Sequence, residues 1–311
     1  MSKRFTYWDS FASINPDFVS IWDTTKAGSA SNTVVLPLLV AGTYSGTIDW
    51  GDATTSALSY ANRTHVYATS GIYTITITST VFDGGIYFNN GGDKLKILNI
   101  SNWGNTINYS ITGQRSFQGC SNLNITATDA PIISATNMRE FFSRCISLTT
   151  PDFSSWDTSA ATTMRGMFYG CTNFNGNVTT WDVSNVVSFG NTGNFSGMFE
   201  ACSIFNQDIS GWNTSSALDM NKMFSNTILF NQNLSGWDIN QVSGFINFMS
   251  NVTLSTVNYD ALLIAWDAQG AMAYSGTVNF GGSKYTSGGA AQAARTSLIS
   301  KWGGITDGGA A

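Results

Sequence analysis

The chain has 311 residues, of which 42% are hydrophobic and only 11% charged, with a net charge of −5. Ordinary globular domains carry about 25% charged residues, and here polarity comes instead from 38 Ser, 36 Thr, 29 Asn and 31 Gly. This composition disfavours long exposed helices and suits strands, tight turns and side-chain hydrogen bonding. The 14 Lys and Arg form no basic run, which argues against a nucleic-acid partner, and no apolar stretch of about 18 residues offers a membrane span.

Residues 1–16 read as an N-terminal arm ending at Asn15-Pro16. No apolar run follows Lys3-Arg4, so no secretory signal peptide is expected. Residues 17–82 read as strands between turns: Phe18–Trp22, Thr33–Leu36, Gly46–Trp50 and the strictly alternating Tyr73–Thr78. Their spacing predicts a small β-sandwich.

From residue 83 to 251 the sequence repeats. A Phe-x-x-Cys unit recurs as Phe117/Cys120, Phe142/Cys145, Phe168/Cys171 and Phe199/Cys202, with Phe224/Thr227 as a fifth copy. The Phe positions are separated by 25, 26, 31 and 25 residues, and an insertion around Phe189–Asn194 accounts for the long interval. In counterphase stand Trp103, Trp156, Trp181, Trp212 and Trp237; the copy missing between the first two falls at Asp129-Ala130-Pro131. A period near 25 lies in the leucine-rich-repeat range. It predicts stacked coils whose Phe, Trp and Cys side chains point inward, each about 4.8 Å from its equivalent. The Trp-Asp-x-Ser step (Trp156-Asp157, Trp181-Asp182) reads as a corner, with Asp bonding the amides ahead of it. Residues 252–311 break the period and read as a C-terminal cap with helices over Val257–Asp267 and Gly288–Trp302 and a β-prone Gly276–Phe280.

The units Met167–Val186 and Met198–Asn213 resemble BspA-type leucine-rich repeats, in which Met-Phe-x-x-Cys and Phe-Asn steps precede a Trp-Asp corner. Asp49-Trp50-Gly51-Asp52, His65-Val66-Tyr67 and Gly71–Thr74 resemble a PKD domain, a small immunoglobulin-like sandwich. Together these resemblances imply a mainly β chain: an immunoglobulin-like sandwich, then a leucine-rich-repeat-type solenoid, then a small α/β cap. They imply spacing and binding rather than chemistry.

Candidate chemical groups are sparse. The lone His65 cannot build a histidine metal site or a Ser-His-Asp arrangement. The four cysteines share one repeat position, which predicts a column of reduced, buried thiols. Glu140 and Glu200 are the only glutamates and the one conceivable carboxylate pair for glycan hydrolysis. Asp49 and Asp52 are candidate calcium ligands without a full oxygen cage.

The expectation is therefore a non-enzymatic protein with no cofactor, no catalytic residue and no metal. Cys120, Cys145, Cys171, Cys202, Phe117, Phe142, Phe168, Phe199, Phe224, Trp156, Trp181, Trp212 and Trp237 serve as its structural ladder. The setting expected is a phage virion, as head fibre, decoration or tail-fibre component, made in the host cytoplasm and exposed after lysis. Its expected partners are other virion proteins through residues 1–82, a host-surface glycan or protein, and further copies of itself. The alternatives are a bacterial surface adhesin lacking its leader and a polysaccharide-degrading tail spike.

Overall fold

The structure, a computed structural model, describes residues 17–190, 196–270 and 273–311. The arm expected over 1–16 lies outside the described residues, as does most of the insertion expected around Phe189–Asn194.

Strand dominates over helix, and the described sheets are open. Nine strands precede the first helix: β1 (Phe18–Asp23), β2 (Thr33–Val35), β3 (Thr43–Asp49), β4 (Thr55–Ala57), β5 (Thr64–Val66), β6 (Ile72–Asp83), β7 (Ile97–Asn102), β8 (Ile107–Asn108) and β9 (Asn124–Ile125). Seven of them make one sheet in the order β4-β3-β6-β1-β7-β9, with β8 pairing the end of β6. The short β2 and β5 form a separate antiparallel pair.

This sheet corrects the expected boundary at residue 82. β1 is flanked by β6 on one side and by β7 on the other, both antiparallel, and β7 continues in parallel to β9. The main sheet therefore runs straight into the repeat region instead of closing as an immunoglobulin-like sandwich. Alternation in Tyr73–Thr78 reports that one face is buried; it carries no information about which strand pairs with the free edge of β1.

Asp93 and Lys96, both buried, tie the loop before β2 to this sheet. The Lys96 ammonium donates to the carbonyls of Ser29 (3.1 Å), Ala30 (2.8 Å) and Thr33 (2.7 Å) and to the Ser29 hydroxyl (2.9 Å). Asp93 accepts from the Ser29 hydroxyl (2.8 Å) and the Val35 amide (2.7 Å). The charges lie 3.8 Å apart, enclosed by the loop they order. A buried pair is tolerable only when the remaining donors and acceptors are met in this way.

The leucine-rich-repeat-type solenoid expected over 83–251 is also corrected. After β9 the described residues contain no further strand or helix until α1 (Thr256–Asp267). Successive units meet through single parallel bridges, Asn137 to Thr163, Thr163 to Ser188, Ser188 to Asp219 and Asp219 to Gly244. Asn, Thr, Ser, Asp and Gly occupy the bridge positions, and all but Thr are poor strand formers. No ladder longer than one bridge forms there, although backbone bonds such as Glu140 N to Arg165 O, Phe142 N to Met167 O and Arg144 N to Tyr169 O cross between units, and the strand-per-unit architecture of such a solenoid does not form.

Side chains add to these backbone bonds. Phe117, Phe142, Phe168, Phe199 and Phe224 stack in sequence with ring centroids 5.5, 5.8, 5.7 and 5.9 Å apart. A second series, Phe174, Phe205 and Phe230, follows at 5.8 and 6.1 Å. Trp181, Trp212 and Trp237 donate their indole N–H to Phe153, Val178 and Ile209 carbonyls in the unit before. Trp103 lies 5.5 Å edge-on from Trp156, filling the place where the Asp129 unit lacks a tryptophan.

The C-terminal segment consists of α1, β10 (Thr277–Asn279), α2 (Ala290–Trp302) and β11 (Gly304–Thr306), with β10 and β11 parallel. Ser255 caps α1, its hydroxyl accepting from the Asn258 amide. Trp266 in α1 donates to Leu234 as the repeat tryptophans do, so the helix seats itself on the last unit. Asp307 holds the two ends of this segment together, accepting two bonds from Arg295 and one from the Tyr259 hydroxyl. One continuous hydrophobic core extends from Phe18 to Trp302.

Candidate functional site

The Phe of each unit sits in a loop with a recurrent backbone device. Two residues before it, φ is positive at Arg115 (57°), Glu140 (56°), Gly166 (61°) and Lys222 (57°). Two residues after it, φ is positive again at Gly119 (78°), Arg144 (63°), Gly170 (70°), Ala201 (61°) and Asn226 (60°). Left-handed backbone on both sides turns the Phe into the core and its neighbours outward. For a residue with a Cβ that geometry costs about 1–2 kcal/mol, so Arg115, Glu140, Arg144 and Lys222 hold strained positions where Gly166 and Gly170 hold none.

Charge concentrates on this loop. Between Trp103 and Asn251 the only cations are Arg115, Arg139, Arg144, Arg165 and Lys222, and all five fall two or three residues from a Phe of the repeat. Both glutamates fall there too. The other edges behave differently. At the Trp corners, Asp152, Asp157, Asp182 and Asp208 each accept the backbone amide two residues ahead. Hydroxyls of Ser154, Ser159, Ser184 and Ser210 beside them, followed by those amides, hold the carboxyls below the usual range. Along another edge the amide oxygens of Asn175, Asn206 and Asn231 accept from the amides of Asn206, Asn231 and Ser255 in turn. The corner carboxyls are thus engaged within their own turns, and the asparagine series in joining units.

The charged loops of the Phe117, Phe142 and Phe168 units enclose a cavity of ≈ 240 Å³ lined by Arg115, Gln118, Glu140, Ser143, Arg144, Tyr169 and Ser196. Glu140 is buried and fixed at its base: Oε2 accepts from Arg115 Nε at 2.9 Å and Gln118 Nε2 at 2.6 Å, and Oε1 lies 3.6 Å from Arg139 Nε. Arg144 reaches over Tyr169, its guanidinium carbon 5.6 Å from the ring centroid. Arg144 N donates to Tyr169 O at 2.7 Å, and among the described residues its guanidinium has no hydrogen-bond acceptor. Burial, and the nearby Arg115 and Arg165, lower the pKa of Arg139 against the opposing pull of Glu140. Two neighbouring hollows, at Ser110–Asn137 and Asn124–Asp152, are lined mainly by Ser, Thr, Ala and Ile.

The structure does not assemble the two glutamates into one site. Glu140 lines the cavity and Glu200 does not; burial raises the Glu200 carboxyl while its Oε2 accepts from Gly197 N at 3.1 Å. The carboxylates considered for calcium are engaged locally: Asp49 accepts from Gly51 N, and Asp52 from Thr54 and from His65 Nε2 at 2.8 Å. His65 is stacked on Trp50 at 4.8 Å. Among the described residues no group of three His, Cys, Asp or Glu converges on a point where a metal could bind.

All four cysteines are buried and free. Each of the last three donates to the Phe carbonyl of the unit before: Cys145 to Phe117 (3.1 Å), Cys171 to Phe142 (2.9 Å) and Cys202 to Phe168 (3.0 Å). Thr227 repeats the bond to Phe199 at 2.7 Å. The slot is thus a donor position and not merely an apolar one. Arg115, Gln118, Arg144 and Tyr169 are the site residues that sequence reasoning missed. Aligning the units on their Phe would have exposed them, because cations scattered in the linear sequence then share the same few loop positions.

No helix of the described residues is long and apolar enough to cross a membrane. No curated protein and no solved structure matches the chain. Two overlapping segments, 86–194 and 136–266, match one protein family, and their starts are two repeat lengths apart, as expected when one pattern can be laid on the units in shifted registers. Together they cover more than half of the sequence, including every residue of the cavity, and the chain belongs to the family described as Mycoplasma protein of unknown function, DUF285.

Proposed function

We propose that this chain is a non-enzymatic display and binding protein, whose repeat units present a charged edge to surface glycans. The observation that supports this reading most is the division of labour among the edges. Asx corners spend their carboxyls within their own turns and the asparagine series joins neighbouring units, whereas Arg144 and Tyr169, side by side, line an open hollow at the Phe142 loop. A ring-stacked core beneath holds these groups in fixed positions, and pre-organisation of this kind lowers the entropic cost of binding. Glu140 is tied into ion pairs with Arg115 and Arg139, which suits a positioning role better than proton transfer.

As its setting we propose the exterior of a virion. Four buried, free thiols, three of them hydrogen-bonded to carbonyls, support a fold that forms without oxidation. Mass spectrometry of purified particles from the source culture tests the setting: several copies per particle are expected, and absence from particles would overturn it. A printed array of host-surface and reference polysaccharides tests the binding. Retention of the full chain on at least one glycan is expected, and release of shortened oligosaccharides from a bound polymer would replace binding with hydrolysis as the activity.

A further inference from the structure

The cavity at the Phe142 loop has a chemistry that narrows its ligand. We propose that it takes one carboxylate-bearing pyranose unit of an acidic polysaccharide, with the Arg144 guanidinium on the carboxylate and the hydroxyl and amide groups of the lining on the ring hydroxyls. The inference rests on the glycan-binding reading above and adds the class of sugar.

Three observations carry it. The first is charge: Arg115, Arg139 and Arg144 stand in or beside the hollow against the single carboxylate of Glu140. Arg115 and Arg139 compensate Glu140, and Arg144 is left with no acceptor among the described residues. A planar guanidinium held over an aromatic ring is suited to a bidentate carboxylate, since part of its motion is already restricted. The second is the lining, which contains no aliphatic side chain: Gln118, Ser143, Ser196 and the Tyr169 hydroxyl accompany the charged groups. A ligand with an apolar body, such as a fatty acid or a hydrophobic peptide terminus, finds no complement there, whereas a ring carrying hydroxyls on every side does. The third is size. At ≈ 240 Å³ the hollow is smaller than the pockets that hold drug-sized ligands and suits one sugar residue of a chain passing across the edge.

The test uses the full chain immobilised on a sensor, with four polymers as probes: polygalacturonate, its methyl ester, dextran and dextran sulfate. Polygalacturonate is expected to bind, and esterification, which removes the charge and keeps the ring, is expected to weaken binding at least tenfold. Arg144→Gln should lose at least tenfold for polygalacturonate and Tyr169→Leu several-fold, while Lys284→Gln, an exposed cation of the C-terminal segment away from the charged loops, should bind as the parent does. All three substituted residues are outside the core, and an unchanged melting curve verifies that the variants fold. Equal binding of polygalacturonate and its ester would overturn the carboxylate assignment and leave glycan binding intact. Binding of dextran sulfate as strong as that of polygalacturonate and insensitive to Tyr169→Leu would mark plain ion exchange and also overturn it. No binding to any of the four, together with an empty array, would remove the glycan reading itself.

Discussion

Between Phe18 and Asn102 the backbone bonds to itself, through antiparallel registers that run six or seven residues at a time. Between Trp103 and Leu254, past the two-residue β8 and β9, no ladder exceeds one bridge; isolated backbone bonds such as Phe142 N to Met167 O cross between units, and side chains join them as well: stacked Phe, indole and thiol donors, and asparagine amides passed from one unit to the next. The two regions share one core, with Phe18 6.1 Å from Trp103 and Phe88 6.0 Å from Phe117. The difference lies in where a single side chain matters. In the sheet most polar side chains are dispensable and a few buried anchors are not. In the repeats each polar side chain contributes a little, and every unit offers a similar contribution.

Removing an anchor should have the largest effect. Lys96→Met takes away the cation that collects three carbonyls and one hydroxyl of the loop before β2, leaving Asp93 buried and uncompensated. A loss of about 3–5 kcal/mol is expected, measured by urea denaturation. A loss below about 1 kcal/mol would mean that the loop is held by its backbone alone and would erase the contrast between the regions.

A link of the repeat region should matter less. Asn206→Ala removes the oxygen that accepts from Asn231 N and from Gln232 Nε2, both at 2.9 Å. These groups are exposed enough for water to replace the lost acceptor, so about 1 kcal/mol is expected, with the intrinsic fluorescence of the stacked tryptophans unchanged. The double variant Asn206→Ala/Asn231→Ala sharpens the comparison, since units that communicate through this edge should show a cost different from the sum of the two.

Acid should act through the repeat corners as well as through Asp23, Asp52, Asp267 and Asp307, whose carboxyls are also held below the usual range. Hydroxyls and amides hold Asp152, Asp157, Asp182 and Asp208 below their ordinary pKa of 3.8. A carboxyl with a depressed folded-state pKa stabilises above its unfolded value and loses that contribution as pH falls through the folded one. Glu200 and Asp219, raised by burial, act in the opposite direction and favour the fold slightly as they gain a proton. The melting temperature should therefore be level or slightly rising from pH 7 to about 5 and should fall below about 4. Asp182→Asn, which copies the residue standing at the same corner as Asn213, should shallow the acid fall while leaving neutral-pH stability nearly unchanged.

How much of this was legible in the sequence depends on whether the cause was local. The Asp157 and Asp182 corners were readable because an Asx turn needs only residues two apart. The Phe, Trp and Cys periods were readable because recurrence is a property of the text, and the helix ending at Trp302 because its apolar spacing is helical. Partner choice was not readable. Nothing in Ile97–Asn102 announces that it completes the sheet beside β1, and nothing in a 25-residue period distinguishes a paired strand from a single bridge. The candidate site was hidden for the same reason: Arg115, Glu140, Arg144 and Tyr169 come from three units and acquire meaning only when the units are laid together.

The smallest effect expected is at the cysteines. Burial pushes their thiols up, Cys171 to about 12, so almost no thiolate is present at pH 8 and a disulfide reagent such as Ellman's should react with none of the four in the native chain and with all four in denaturant. Cys171→Thr replaces a weak donor with the hydroxyl that already occupies this slot at Thr227, where the bond to the Phe199 carbonyl is 2.7 Å. The Phe142 carbonyl that would receive it also accepts from Cys145 N, so no acceptor is stranded whichever rotamer the threonine adopts. The expected change is below about 1 kcal/mol. Cys171→Ala, which removes the donor and leaves a small void between stacked units, should cost more than the threonine variant; if the two were equal, the slot would be one of volume alone and the thiol bonds incidental to the packing.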